Sequence, residues 1–183
     1  MKRTVFVLLT VFAFSAIAFA QSQEELDKAT LPLPNANLRN GATVIKWKSD
    51  FTYDTLRKGT NRMVCYDRSG QPGQQAFAAE CTSIGNLERV AQSLKIEAAN
   101  TDPKAKQAAF EALEKDGKWA KPEFGSVWYH ITGPNATQTR THVTIAVPGA
   151  TNKTTGLPED NKQGGVWIMN AGTSAAHLMT PGE

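Results

Sequence analysis

From position 126 to 147 apolar and polar residues alternate along the chain. Over Ser126 to Thr132, Val127, Tyr129 and Ile131 fall on one side, and Trp128, His130 and Thr132 on the other. Over Arg140 to Val147, Thr141, Val143, Ile145 and Val147 oppose His142, Thr144 and Ala146. A period of two marks half-buried strands, and Gly133-Pro134-Asn135 supplies the turn between them. The pattern predicts a β-hairpin. Opposite residues of such a hairpin have a constant index sum, so a loop centred near Ala136 pairs His130 with His142.

Earlier in the chain the period changes. Ile84, Leu87, Val90, Ala91, Leu94 and Ala98 recur at three- and four-residue steps, as on the apolar face of a helix, with Ser83 as its candidate N-cap. A second helix is expected to open at Asp102-Pro103, with aspartate as cap and proline at the first helical position. Its apolar positions are Ala105, Ala109, Phe110 and Leu113. Glu111 and Lys115 are spaced as a favourable i,i+4 pair, and Gly117 is placed to end the helix.

Two further strands are expected at Ala42 to Trp47, rich in β-branched residues, and at Asn61 to Tyr66. Cys65 then leaves the sheet, and Cys81 ties a loop back to it. Gly164 to Met179 holds two short apolar runs around an Asn-Ala-Gly-Thr-Ser turn. As the most apolar stretch after the N-terminal segment, it is expected at the centre of the sheet. Pro148 to Gly165, rich in Gly, Asn, Thr and Lys, reads as a long loop of the kind that carries function. The fold class is α+β: an antiparallel sheet with two central helices packed on it and one disulfide.

The N-terminus changes the setting. Lys2 and Arg3, an uncharged apolar run from Val5 to Phe19, and Ala18-Phe19-Ala20 before Gln21 form a signal peptide over residues 1–20. The apolar run is shorter than a membrane span needs, and no span is expected after cleavage. No cysteine stands at the cleavage point to carry a lipid. The expected address is the periplasm or the medium of a bacterium. Residues 21–41 form an N-terminal arm: Ser22-Gln23-Glu24-Glu25 has the shape of a helix capping box, and Leu31-Pro32-Leu33-Pro34 stops the helix. Residues 42–183 form a single α+β domain.

Of 183 residues, 163 remain after cleavage, and loss of Lys2 and Arg3 leaves 18 basic against 17 acidic residues. Near-neutral charge without a basic cluster argues against nucleic acid as a partner. In an oxidising compartment the two cysteines, Cys65 and Cys81, read as a disulfide. The closed loop of about 15 residues contributes roughly 3 kcal/mol in the chain-entropy description.

Candidate chemistry is sparse. The three histidines, His130, His142 and His177, all fall in the predicted C-terminal sheet. Paired imidazoles opposite one another come within reach of a shared metal, and three with an open position would make a hydrolytic zinc site. A slip of one residue in register would separate them. Gly172-Thr173-Ser174-Ala175 approaches the G-x-S-x-G nucleophile pattern but lacks its last glycine and the helix behind the serine; a hairpin turn explains it better. Glu159 and Asp160 lack calcium-loop spacing, and no phosphate-binding or haem-attachment motif is present. Trp128 shares a face with His130, so Trp128, His130 and His142 are the candidate ligand-binding residues. The leading expectation is an exported, non-catalytic module binding a small molecule or an envelope component. The alternative is a metal-dependent hydrolase using His130, His142 and His177. No cofactor is expected other than zinc at that site.

Overall fold

The structure, a computed structural model, describes residues 23–180. Residues 1–22, which include the expected signal peptide and Ser22 of the expected capping box, and residues 181–183 lie outside the described residues. Strands β1 (Thr43–Trp47), β2 (Tyr53–Arg57), β3 (Met63–Asp67), β4 (Phe77–Ser83), β5 (Val127–Gly133), β6 (Arg140–Ala146), β7 (Trp167–Met169) and β8 (His177–Met179) form one sheet, in the order β2-β1-β3-β4-β5-β6-β8-β7. The helices are α1 (residues 23–30), α2 (Ala36–Gly41), α3 (Leu87–Ala99), α4 (Pro103–Lys115) and the single turn α5 (Asn152–Thr155).

The sheet is mixed rather than wholly antiparallel, because β1 and β3 run parallel. β1 and β2 form an outer hairpin with Trp47 opposite Tyr53. The chain then returns past the start of β1. Gly59 N–H donates to Thr43 Oγ1 at 3.1 Å, and the N–H groups of Thr60 and Asn61 donate to Gly41 O at 2.8 and 2.9 Å. A Cβ on Gly59 would stand 2.3 Å from Thr43 N, so only glycine permits this approach. β3 then starts beside β1 and climbs in the same direction.

Alternation along the strands divides the core into two faces. Val44, Cys65 and Cys81 point to one face, where Ala29 and Leu33 of the arm cover them. Leu33 is wholly buried, so the arm is part of the core. Arg39 Nε fixes it by donating to Leu33 O at 2.7 Å. Ile45, Val64 and Tyr66 point to the other face and pack under Leu87, Val90 and Leu94 of α3. α3 is thus the packed helix. α4 has no fully buried residue; Ala109, Phe110 and Leu113 on its inward side are only half-buried. Its ends are as the spacing predicts: Asp102 accepts from Ala105 N at 2.8 Å, and Gly117 takes φ +66°.

Cys65 and Cys81 are joined and lie directly opposite on neighbouring strands, so Cys81 is not in a loop. β4 escapes pattern reading because Ala78, Ala79, Glu80 and Cys81 do not alternate; all four are buried. The C-terminal run does not take the centre of the sheet. β7 is its outer strand, and Ile168 is buried instead against Val147, Ala150 and Ala176. The 148–165 segment is ordered by a capping box between Thr151 and Thr154 and by Ile168 N–H donating to Pro158 O at 2.8 Å. No helix among the described residues is long and apolar enough to cross a membrane.

The Cys65–Cys81 bond spans 16 positions of sequence. The double variant Cys65→Ala/Cys81→Ala is expected to lose about 3 kcal/mol of stability. In a thermal melt that is a fall in Tm of roughly 6–12 °C for a chain of this size; an unchanged Tm would contradict it.

Candidate functional site

The β5–β6 register pairs Trp128 with Thr144, His130 with His142 and Thr132 with Arg140. It extends inward: Glu80 of β4 lies opposite His130, and Tyr66 of β3 lies opposite Glu80. Opposite residues share a face. Tyr66, Glu80, His130 and His142 therefore form one row across four strands, on the face that carries α3.

Glu80 is the buried charge in that row, 6% exposed. It accepts a hydrogen bond from the Tyr66 hydroxyl and another from Arg68 Nη1 at 3.2 Å. His130 Nδ1 lies 3.4 Å from its second oxygen, long for a hydrogen bond but within ion-pair reach. Arg68, equally buried, spends Nη2 on Glu97 and Nε on Gln71 Oε1 at 2.6 Å. Burial opposes ionisation of Glu80, yet the adjacent His130, the Arg68 charge and the Tyr66 hydrogen bond outweigh it and hold the carboxyl down at about 2. Burial pushes the Tyr66 phenol well above its usual range, helped by the Glu80 charge, so it stays a donor. Burial also works against the Arg68 charge, but Glu80 and Glu97 reverse the effect and raise its pKa.

Above this floor α3 presents Arg89, Ser93 and Glu97. They stand at i, i+4 and i+8, one above another on a helix face. With Trp119, Trp128, His130, Thr144, Ala175 and His177 they line a cleft of about 440 Å³. The Trp128 indole lies nearly parallel to the His130 ring, 11° apart with centroids at 6.4 Å. Across the cleft the Arg89 guanidinium carbon sits 3.6 Å above the Trp119 ring, which also stacks on Phe110. Arg89 Nη1 donates to Ala120 O at 2.7 Å and to Ser174 Oγ at 3.1 Å. The Ser174 hydroxyl in turn donates to Glu114, whose other oxygen accepts from Ser174 N at 2.6 Å. Ser174 is a relay between a cation and a carboxylate. Burial lowers the Arg89 pKa to about 10, a shift that the Glu114 charge opposes; the side chain is still a cation at neutral pH.

His177 Nδ1 lies 2.8 Å from Ala175 O. A carbonyl only accepts, so Nδ1 carries a proton and Nε2 is the ring's second nitrogen to offer. Of the residues singled out by sequence, Trp128, His130 and His177 line the cleft. His142 lies one strand beyond His130, with ring centroids 6.1 Å apart, and is not part of the lining. No three His, Cys, Asp or Glu side chains among the described residues are grouped so as to hold a metal ion.

Pattern reading missed Arg68, Glu80, Arg89, Glu97 and Trp119. One signal was present for Glu80: it is the only charged residue between Arg68 and Glu88. A lone carboxylate in so uncharged a run is buried only with partners. No family model, no curated protein and no solved structure matches the chain. The functional reading therefore rests on the cleft.

Glu80→Gln keeps the shape but leaves Arg68 short of a counter-charge, and a loss of about 3 kcal/mol is expected at pH 7. Folding lowers the Glu80 pKa. Its contribution is therefore fully present above the unfolded value of about 4.3 and is lost as the pH falls from there toward about 2. Denaturant melts between pH 5 and pH 2 should show a steeper loss in the parent than in Glu80→Gln; equal slopes would refute the assignment.

Proposed function

We propose that this is an exported, non-catalytic binding protein that takes one small organic molecule in the cleft between α3 and the β4-β5-β6 part of the sheet. One observation carries the reading. A cleft of about 440 Å³, within the usual range of small-molecule sites, is walled by Trp119 and Trp128 and floored by a pre-formed polar network. Indole walls supply apolar area, and the fixed polar groups supply orientation.

The engagement of the polar groups favours binding over catalysis. Glu80 is held by donors from Tyr66 and Arg68 and faced by His130. Ser174 Oγ accepts from Arg89 Nη1, which occupies a lone pair of that hydroxyl. A general base or nucleophile needs its lone pair turned toward a substrate. Export is supported by the charged, apolar and small-residue pattern of residues 1–20 and by the Cys65–Cys81 bond.

The four tryptophans make the reading testable. Trp119 and Trp128 line the cleft, whereas Trp47 and Trp167 do not. In a small-molecule library screened by thermal shift, a binder is expected to move the indole N–H resonances of Trp119 and Trp128 and leave those of Trp47 and Trp167 in place. Binders that move only Trp47 or Trp167, or a library with none, would overturn the proposal. Material expressed with its own leader should begin at Gln21 by mass; an intact leader would count against export.

A further inference from the structure

We propose that the ligand of this cleft carries a carboxylate, received by the Nε–Nη2 edge of Arg89. This inference rests on the binding reading above and names the chemistry that the cleft selects.

The two buried arginines differ in how they are satisfied. Arg68 uses Nη1, Nη2 and Nε, and two of its three acceptors are carboxylates. Arg89 is as deeply buried, 6% exposed, but uses only Nη1, on the neutral oxygens of Ala120 and Ser174. Among the described residues, its Nε and Nη2 have no hydrogen-bond partner, and neither is sealed away from solvent. Arg89 lines the cleft. The free edge presents two parallel N–H donors at the spacing of carboxylate oxygens.

The nearest anion does not fill that edge. Both Glu114 oxygens are taken by Ser174, so Glu114 reaches Arg89 only through the serine hydroxyl. A buried cation without a direct counter-charge is costly, and an anionic ligand removes that cost. The Trp119 ring beneath the guanidinium fixes its plane in advance, which favours a bidentate partner. The far end of the cleft selects against a second negative charge. Glu97 stands two helical turns from Arg89 on the same face of α3, with Glu80 behind it. A singly charged carboxylate fits this distribution better than a phosphate. The remainder of the ligand meets the apolar surface that Trp119 and Trp128 contribute to the lining.

The test uses the mature, disulfide-bonded protein at pH 7. The probes are a panel of aromatic monocarboxylates (indole-3-acetate, 2-naphthoate, phenylacetate), their primary amides as neutral isosteres, and inorganic phosphate. Titration calorimetry is expected to show acids binding about tenfold or more tightly than the matching amides. Phosphate should fail to displace them. Arg89→Gln should weaken the acids far more than the amides and so close most of the gap between them. Because Arg89 is buried, the acid–amide comparison in the parent protein carries the test even if the variant is unstable. Amides that bind as well as acids, with shifts at the cleft indoles, would overturn the carboxylate inference and leave the binding reading standing. Displacement by phosphate would overturn the preference for a single charge. No binding by any acid or amide, together with an empty library screen, would overturn both.

Discussion

A carboxylate that must stay ionised inside a protein dictates its surroundings, and in this chain that carboxylate is Glu80. It lies in the third of the five strands that run from β1 to β6, on the face that α3 covers. Tyr66 from one neighbouring strand, His130 from the other and Arg68 from just beyond β3 all converge on it. Such an arrangement adds little net stability over a well-packed apolar core, but losing one partner is costly. Its stronger effect is on register. A shift of β3 or β5 by one residue against β4 would turn Tyr66 or His130 to the opposite face and leave the charge without partners.

The same constraint shapes the cleft. Glu97 joins Arg68 to α3, so the helix is tied to the sheet at its C-terminal half. At its N-terminal half the helix carries Arg89, whose contacts run to Ala120 and to the Ser174 turn. The cleft lies between these two anchors. One end holds two carboxylates, Glu80 and Glu97, that share Arg68 within the fold. The other holds a cation whose balancing anion acts through a hydroxyl. That asymmetry gives the cleft its chemical preference, while Trp119 and Trp128 give it its shape.

What could be read from the chain was what repeats with a simple period or depends on local chemistry. The 127–146 hairpin and its His130–His142 pairing follow from alternation and turn position. The α4 start follows from Asp102-Pro103, and the cysteine pair follows from there being two cysteines. What escaped depends on tertiary partners. β4 has no alternation because both of its faces are covered. β2 is exposed along most of its length and carries no apolar pattern. The parallel β1–β3 pair depends on Gly59 passing close to Thr43. The apolar C-terminal run was placed at the sheet centre, but its apolarity serves a separate cluster under the 147–176 loops. Of the site, Trp128, His130 and His177 were visible as residue types. Arg89 looked like any solvated helix arginine, because nothing local marks the side chain that a distant Trp119 will cover.

The most direct measurement is a carboxyl-carbon NMR titration of Glu80 in the folded protein. If the buried charge organises the sheet and the cleft floor, Glu80 should still be ionised at about pH 4, below the ordinary glutamate value, with its midpoint near about 2. A midpoint at or above the ordinary value would mean that the carboxyl is neutral when buried. Tyr66, Arg68 and His130 would then be gathered around it for some other reason.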